Sequence, residues 1–269
     1  MASGGGDKEY GKLYPAARAV LAPVFKGLWK VETTGLEHIP ATGPAIFCPN
    51  HLSVIDSFFL PLVLPRQIFF VGKSEYMDSW KTKYAFPAMG MIPIERGGGS
   101  ATERALDTAA GILEKGYFFG IYPEGTRSRD GKLHKGHTGP ARLALRTGAP
   151  IIPVGMKGTL AVQPPDRKLP KPRAAKVQVN FGPPVHPDKY RNNESDHLAL
   201  RQMIDEVMFE IRALSGQEYD NSYATKKAEH LPAEVAKVLT FDVRDINGQP
   251  VRRSSADVLS RSGRVEAAG

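Results

Sequence analysis

Two short polar clusters, each following an apolar run, hold the residue types that acid–base and anion chemistry need. The first is "CPNHLSVIDSFF", in which His51 precedes Asp56 by five positions. If His51 sits just before the first turn of a helix, its ring can fold back toward Asp56. The carboxylate would then fix the imidazole tautomer and stabilise the imidazolium, leaving the other ring nitrogen to act as a base. A plainer reading makes Asn50 or Ser53 a helix cap and leaves Asp56 on an exposed face. The second cluster, "YPEGTRSRDGKLHKG", runs from Tyr122 to Gly136. A strand end, the turn glycine Gly125 and then Thr126-Arg127-Ser128-Arg129 would form an anion cradle of backbone amides, hydroxyl and guanidinium. Glu124 stands where it can orient Arg127. A surface turn at Gly125 and another at Asp130-Gly131 would explain the same letters.

A third stretch, "GMIPIERGGGSATERAL", places Arg96 after an apolar strand and three glycines before a helix. Helix amino termini favour phosphate, but neither GxGxxG nor a P-loop is present. Cys48 lies within an apolar run and reads as a buried, inert thiol. His134 and His137 read as loop residues. Neither the histidines nor the acids show the spacing of a zinc site.

The elements that would position these groups alternate along the chain. Residues 45–48, 67–72, 91–95, 117–122, 151–156 and 176–182 read as strands, and residues near 53–64, 74–85, 100–115, 138–147 and 195–214 read as helices. Strands separated by helices predict an α/β fold with a mostly parallel central sheet flanked by helices. In such sheets ligands sit beyond the carboxyl ends of the strands, which is where both polar clusters fall. Residues 8–30 add a basic amphipathic segment. Leu13, Ala17, Val20, Leu21, Val24, Phe25 and Leu28 share one face and Lys12, Arg18, Lys26 and Lys30 the other, with Pro15 and Pro23 expected to kink or split it. A proline-rich loop over 160–176 holds five basic residues against one acid. The segmentation that follows is an N-terminal interface segment at 1–34, a catalytic domain at 35–214 and a polar tail at 215–269.

Composition bounds the partners. The 269 residues carry 36 Lys and Arg against 28 Asp and Glu, a formal charge of +8 that suits polyanions or an anionic membrane surface. Basic residues interleaved with stacking aromatics are lacking, which argues against nucleic acid. The single cysteine excludes an intramolecular disulfide and fits a reducing cytosol. No signal peptide is read at the start, and no apolar run reaches the roughly 20 residues of a spanning helix. A soluble or peripheral protein is expected.

Taken in order, N-H-x4-D, G-x-I-x-I-x-R, P-E-G-T-R-S and the apolar P-I-I-P-V resemble the four blocks of the PlsC-like glycerolipid acyltransferase family, whose members include 1-acyl-sn-glycerol-3-phosphate acyltransferases. The resemblance runs from about Gly35 to Pro184. It implies acyl transfer from acyl-CoA or acyl carrier protein to a hydroxyl of lysophosphatidic acid, at the cytoplasmic face of a membrane and with no metal or further cofactor. His51 and Asp56 would be catalytic, and Arg127, Arg96, Glu124, Gly125 and Thr126 would hold the acceptor. Lys73 matches a basic residue between the first two blocks and would support the donor or the oxyanion. Where the family often has an aromatic-lysine-x-glycine run, this chain has "LHKGHTGPARLAL". Alternatives are glycerol 3-phosphate or another lysophospholipid as acceptor, a thioester hydrolase, which lacks a G-x-S-x-G elbow here, and a non-catalytic phospholipid-binding protein.

Overall fold

The computed structural model describes residues 14–73, 90–94, 99–164, 167, 169–173, 175–193 and 197–224. Nine strands are found among them: β1 (Val31–Thr34), β2 (Ala45–Pro49), β3 (Ile68–Lys73), β4 (Met91–Ile94), β5 (Phe118–Gly120), β6 (Leu133–His134), β7 (Ile151–Lys157), β8 (Val177–Phe181) and β9 (Tyr219–Asp220). The helices are α1 (Tyr14–Leu28), α2 (Asp56–Val63), α3 (Gly99–Glu114), α4 (Gly139–Thr147), α5 (Thr159–Val162) and α6 (His197–Ser215). Seven strands form one sheet in the order β1-β8-β7-β2-β5-β3-β4. Every pairing in it is parallel except β7 with β8. The expected architecture is therefore present, and each of the six strands read from the sequence is a strand of this sheet. The helix expected near 74–85 lies outside the described residues.

Strand periodicity divides the core into two layers. Ile46, Cys48, Phe119 and Ile151 face one side, where α3, α4 and α6 supply Leu113, Leu145, Met203 and Ile211. Ala45, Phe47, Phe118 and Ile152 face the other, against Phe59 and Leu60 of α2 and Trp29 beyond α1. Because both faces are covered there, the inner strands β2, β5 and β7 are buried almost throughout, whereas β8, next to the edge, alternates. The burial pattern of β2 is unbroken from Ala45 to Pro49.

The sheet reaches beyond the boundaries read from sequence. β1 pairs in register with β8, Val31 opposite Val177, so residues 31–34 belong to the central fold. Separately, β6 and β9 form a two-stranded sheet of their own, with Leu133 opposite Tyr219. Residues 216–224 thus pack beside the second polar cluster. The chain on either side, residues 1–13 and 225–269, lies outside the described residues.

α1 is one continuous helix with Pro23 inside it, not two pieces. Its inner side docks on α2. The Tyr14 hydroxyl donates to the Pro61 carbonyl at 2.8 Å, and Phe25 packs edge-on against Phe59 at 5.2 Å between ring centres. The Trp29 indole, just past the helix, donates to the Lys171 carbonyl and so ties in the proline-rich loop. The apolar stripe is consequently divided. Phe25 and Leu28 pack on the fold, while Val20 and Val24 remain 67% and 48% exposed.

Candidate active site

β2 and β5 are parallel neighbours, with Phe47 opposite Gly120, so their carboxyl ends lie side by side. The chain leaving β2 carries Asn50 and His51, and the chain leaving β5 carries Tyr122 to Arg127. Sheet topology thus brings the two polar clusters together at the edge where parallel sheets bind ligands.

His51 Nδ1 lies 3.0 Å from Asp56 Oδ2. That oxygen also accepts the backbone N–H groups of Leu52 and Ser53, both at 2.8 Å. An oxygen that already accepts two backbone N–H groups has no proton of its own to give to Nδ1. Nδ1 must then carry the ring proton, which leaves the Nε2 lone pair as the available base. Asp56 is fully buried and opens α2, while the His51 side chain is 15% exposed. The cap reading fails on this geometry. Asn50 does not cap α2; the helix begins without a side-chain cap, and its first N–H groups, of Asp56, Ser57 and Phe58, donate to the carbonyls of Ser53, Val54 and Ile55.

The main chain of His51 is held equally firmly. Its N–H donates to Glu124 Oε1 at 3.0 Å, and its carbonyl accepts from the Ser128 N–H at 2.7 Å. The second Glu124 oxygen accepts the His134 N–H at 2.9 Å. Glu124 is 1% exposed. It therefore neither faces a substrate nor orients Arg127, as the sequence suggested, but clamps the histidine loop to β6. Burial pushes its carboxyl up to about 8, against the lowering pull of the two amides.

Gly125 is required by geometry. Its φ is +70°, and a Cβ there would meet the His137 ring at 3.1 Å. Its N–H donates to the Tyr122 carbonyl within the turn, so this amide is not a free anion donor, contrary to the cradle expected from sequence. Thr126 and Arg127 are half-buried on the same turn. Lys73 ends β3, on the same edge of the sheet and two strands from β2; its side chain lies outside the described residues, as does Arg96.

Several residues of the site carried little signal in the sequence. Asn50, fully buried, donates from Nδ2 to the Met156 carbonyl at 3.0 Å and accepts the Met156 N–H at 2.7 Å, which splices the histidine loop to β7. The same Nδ2 lies 2.6 Å from Gln217 Oε1, and Gln217 in turn donates to the Gly131 carbonyl. Tyr122 stacks on the His51 ring with centroids 3.8 Å apart. Burial, reinforced by the Asp56 charge, pushes its phenol well above the ordinary range, so the hydroxyl keeps its proton. Cys48 is fully buried among apolar residues on the α3/α4/α6 side of the sheet, and burial alone pushes its thiol up, which removes it as a nucleophile.

Asp130, His134 and Asp220 are the group among the described residues whose donor atoms approach a metal-like cluster. Asp130 Oδ1 already accepts from Ser128 Oγ and the Lys132 N–H and lies 3.0 Å from His134 Nε2. That network brings Ser128, the residue that binds the His51 carbonyl, into register with β6. His134, expected in a loop, is instead a residue of the short strand β6, opposite Asp220, while His137 stacks on Tyr223.

The family model described as Acyltransferase matches residues 30–157, the segment that carries both clusters. A chloroplastic 1-acyl-sn-glycerol-3-phosphate acyltransferase of Arabidopsis thaliana is 31% identical over 137 residues, covering 51% of this chain and 38% of that one. The alpha form of the mouse enzyme of the same name is 29% identical over 158 residues, 58% of this chain and 55% of that one. The chain thus spans about half the length, or less, of these curated relatives. In three dimensions it is similar to the crystal structure of the 1-acyl-sn-glycerophosphate acyltransferase PlsC from Thermotoga maritima. That match has a TM-score of 0.61 at 28% identity and covers 75% of this chain and 78% of that one. Sequence blocks, sheet and base–carboxylate pair agree with one another: both clusters fall inside the matched segment, residues 30–157, and the fold is similar to that of PlsC.

Proposed function

We propose that this protein transfers an acyl group from a thioester, acyl-CoA or acyl carrier protein, to the free hydroxyl of lysophosphatidic acid, giving phosphatidic acid. The observation that carries the proposal is the His51 Nδ1–Asp56 Oδ2 contact of 3.0 Å, which leaves Nε2 free at the carboxyl end of β2. A hydroxyl is a weak nucleophile at neutral pH. His51 Nε2 removes its proton as the oxygen attacks the thioester carbonyl, a contribution of roughly 10²–10⁴-fold. The tetrahedral intermediate then collapses, the C–S bond breaks, and the imidazolium returns its proton to the leaving thiolate. Asp56 stabilises the imidazolium between these events. Arg127 binds the acceptor phosphate, and Lys73 and Arg96 assist at the donor and acceptor sides. The names of the relatives support lysophosphatidic acid over glycerol 3-phosphate or a larger lysophospholipid.

Both substrates are amphiphiles, and no helix among the described residues is long and apolar enough to cross a membrane. Peripheral attachment at a cytoplasmic membrane face is therefore part of the proposal. Val20 and Val24, exposed on α1, supply an apolar strip for a lipid surface, and exposed Lys26 on the same helix adds a cation for anionic headgroups. The loop beside it adds Lys171 and Arg173, held there by the Trp29 contact and by the Arg173 N–H bond to the Leu28 carbonyl.

The decisive experiment supplies the full-length protein with acyl-CoA or acyl carrier protein thioester and, separately, lysophosphatidic acid, glycerol 3-phosphate or a choline lysophospholipid. Acyl-lipid product with lysophosphatidic acid is expected. Thiol release without acyl-lipid would make the protein a hydrolase, and no turnover with tight lipid binding would make it a binding protein.

A further inference from the structure

Asp56 holds only one atom of the imidazole, so the ring plane needs a second constraint. It is provided by Tyr122, whose ring lies 3.8 Å from that of His51 at an interplanar angle of 18°. Tyr122 is itself backed by Phe70, at 6.2 Å and 23°. The Phe70 ring occupies space that only Gly120 leaves open, since a Cβ at that position would fall 2.1 Å from it. At its far end the Tyr122 hydroxyl lies 2.7 Å from Ser57 Oγ, and Ser57 directly follows Asp56 in α2. Histidine, carboxylate and aromatic plate are thus fixed to one helix end and one strand end.

We infer that Tyr122 is a positioning residue for acyl transfer: its ring face sets the plane of the His51 imidazole and so aims Nε2 at the acceptor hydroxyl. An electron-rich ring parallel to the imidazole also favours the imidazolium that forms as the proton is taken. The hydroxyl–Ser57 contact serves only to hold the plate. The inference rests on the reading of His51 as the base, and the experiment separates the two.

Steady-state kinetics of the full chain with both substrates varied compare wild type, Y122F, Y122L, S57A and H51A. Y122L is expected to lose roughly 10- to 100-fold in kcat, the penalty typical of a misplaced catalytic group, with both KM values within about twofold of wild type. Y122F and S57A keep the stack and should retain kcat within about threefold. Folding is checked by circular dichroism. A second measurement needs no destabilising variant: in the NMR spectrum of wild type and Y122F, the His51 ring C–H resonances, assigned by their loss in H51A, should be shifted upfield by the stacked ring. Folded Y122L with wild-type kcat, a loss confined to KM, Y122F as impaired as Y122L, or unshifted His51 resonances in wild type would each overturn the inference. If folded H51A is active, the base itself is wrong and the inference goes with it. If H51A is inactive while Y122L is active, only the role of Tyr122 falls.

Discussion

Replacing Asp56 by Asn isolates the charge from the shape of the site. In the native geometry Oδ2 takes three donors, and Oδ1 is buried without a partner. An Asn carbonyl turned toward the three donors keeps those contacts at neutral strength. Its NH₂ then occupies the position of Oδ1, where burying an unpaired donor costs about 1–3 kcal/mol of stability. For a chain of this size that is a fall of roughly 2–12 °C in Tm. The kinetic effect is separate. A hydrogen bond to a charged partner is worth about 1.5–3 kcal/mol, and only the transition state places an imidazolium against this carboxylate. At 1.36 kcal/mol per decade, kcat of D56N should fall roughly 10- to 100-fold with little change in either KM. Thiol release at saturating donor and acceptor, read with a thiol reagent, measures it. Because Asp56 acts through His51, the double variant H51A/D56N should be no slower than H51A alone. A folded D56N with kcat within twofold of wild type refutes the reasoning. So does a double variant in which the two losses simply multiply, because Asp56 would then act on something other than the imidazole.

Three further outcomes follow from other parts of the molecule. R127A should raise KM for the phosphate-bearing acceptor roughly 10- to 100-fold and leave KM for the acyl donor unchanged, since a charge-assisted contact of about 1.5–3 kcal/mol is removed; an effect on the donor alone would reverse the assignment of the pocket. Glu124 has its folded carboxyl raised to about 8, so its stabilising share is complete below the ordinary carboxylate range and is lost as pH rises through about 8. The Tm advantage of wild type over E124Q should therefore shrink between pH 5 and pH 8.5, and an advantage that grows over that range would contradict the sign. V20D/V24D changes two exposed positions of α1, so Tm should hold while sedimentation with anionic vesicles falls by about tenfold or more; unaltered sedimentation would place the lipid contact elsewhere.

The strands could be read before the fold was known because nothing local contests them. A parallel sheet covered on both faces needs short, wholly apolar runs such as "AIFC" and "IIPVGM", and in this chain turn residues bound each one. The short pairing of β6 with β9 could not be read, since two residues carry no periodicity and their partner lies 86 positions away, as Leu133 lies from Tyr219. β1 escaped for a related reason. "VETT" is polar at three of its four positions because it is an edge strand, with an exposed residue at Thr34.

In the site, what could be read was the chemistry, and what could not was its support. His51 and Asp56 sit five residues apart, and their meeting needs only that a helix begin at Asp56. Glu124 shows where that style of reasoning stops. A carboxylate three residues from an arginine invites an ion pair by proximity, yet the amides of His51 and His134, 73 and 10 positions away, claim both oxygens. Both Glu124 oxygens are satisfied where the fold leaves donors unpaired, and loop amides at a strand end are such donors. Asn50 obeys the same rule. Adjacent to the base, it invites a functional reading or a helix cap, but its amide is consumed in joining β2 to β7 and in holding Gln217 from beyond α6. The residues that make His51 rigid are thus assigned by unsatisfied backbone groups in three dimensions, and those become visible only when the sheet has set β2, β5 and β7 side by side.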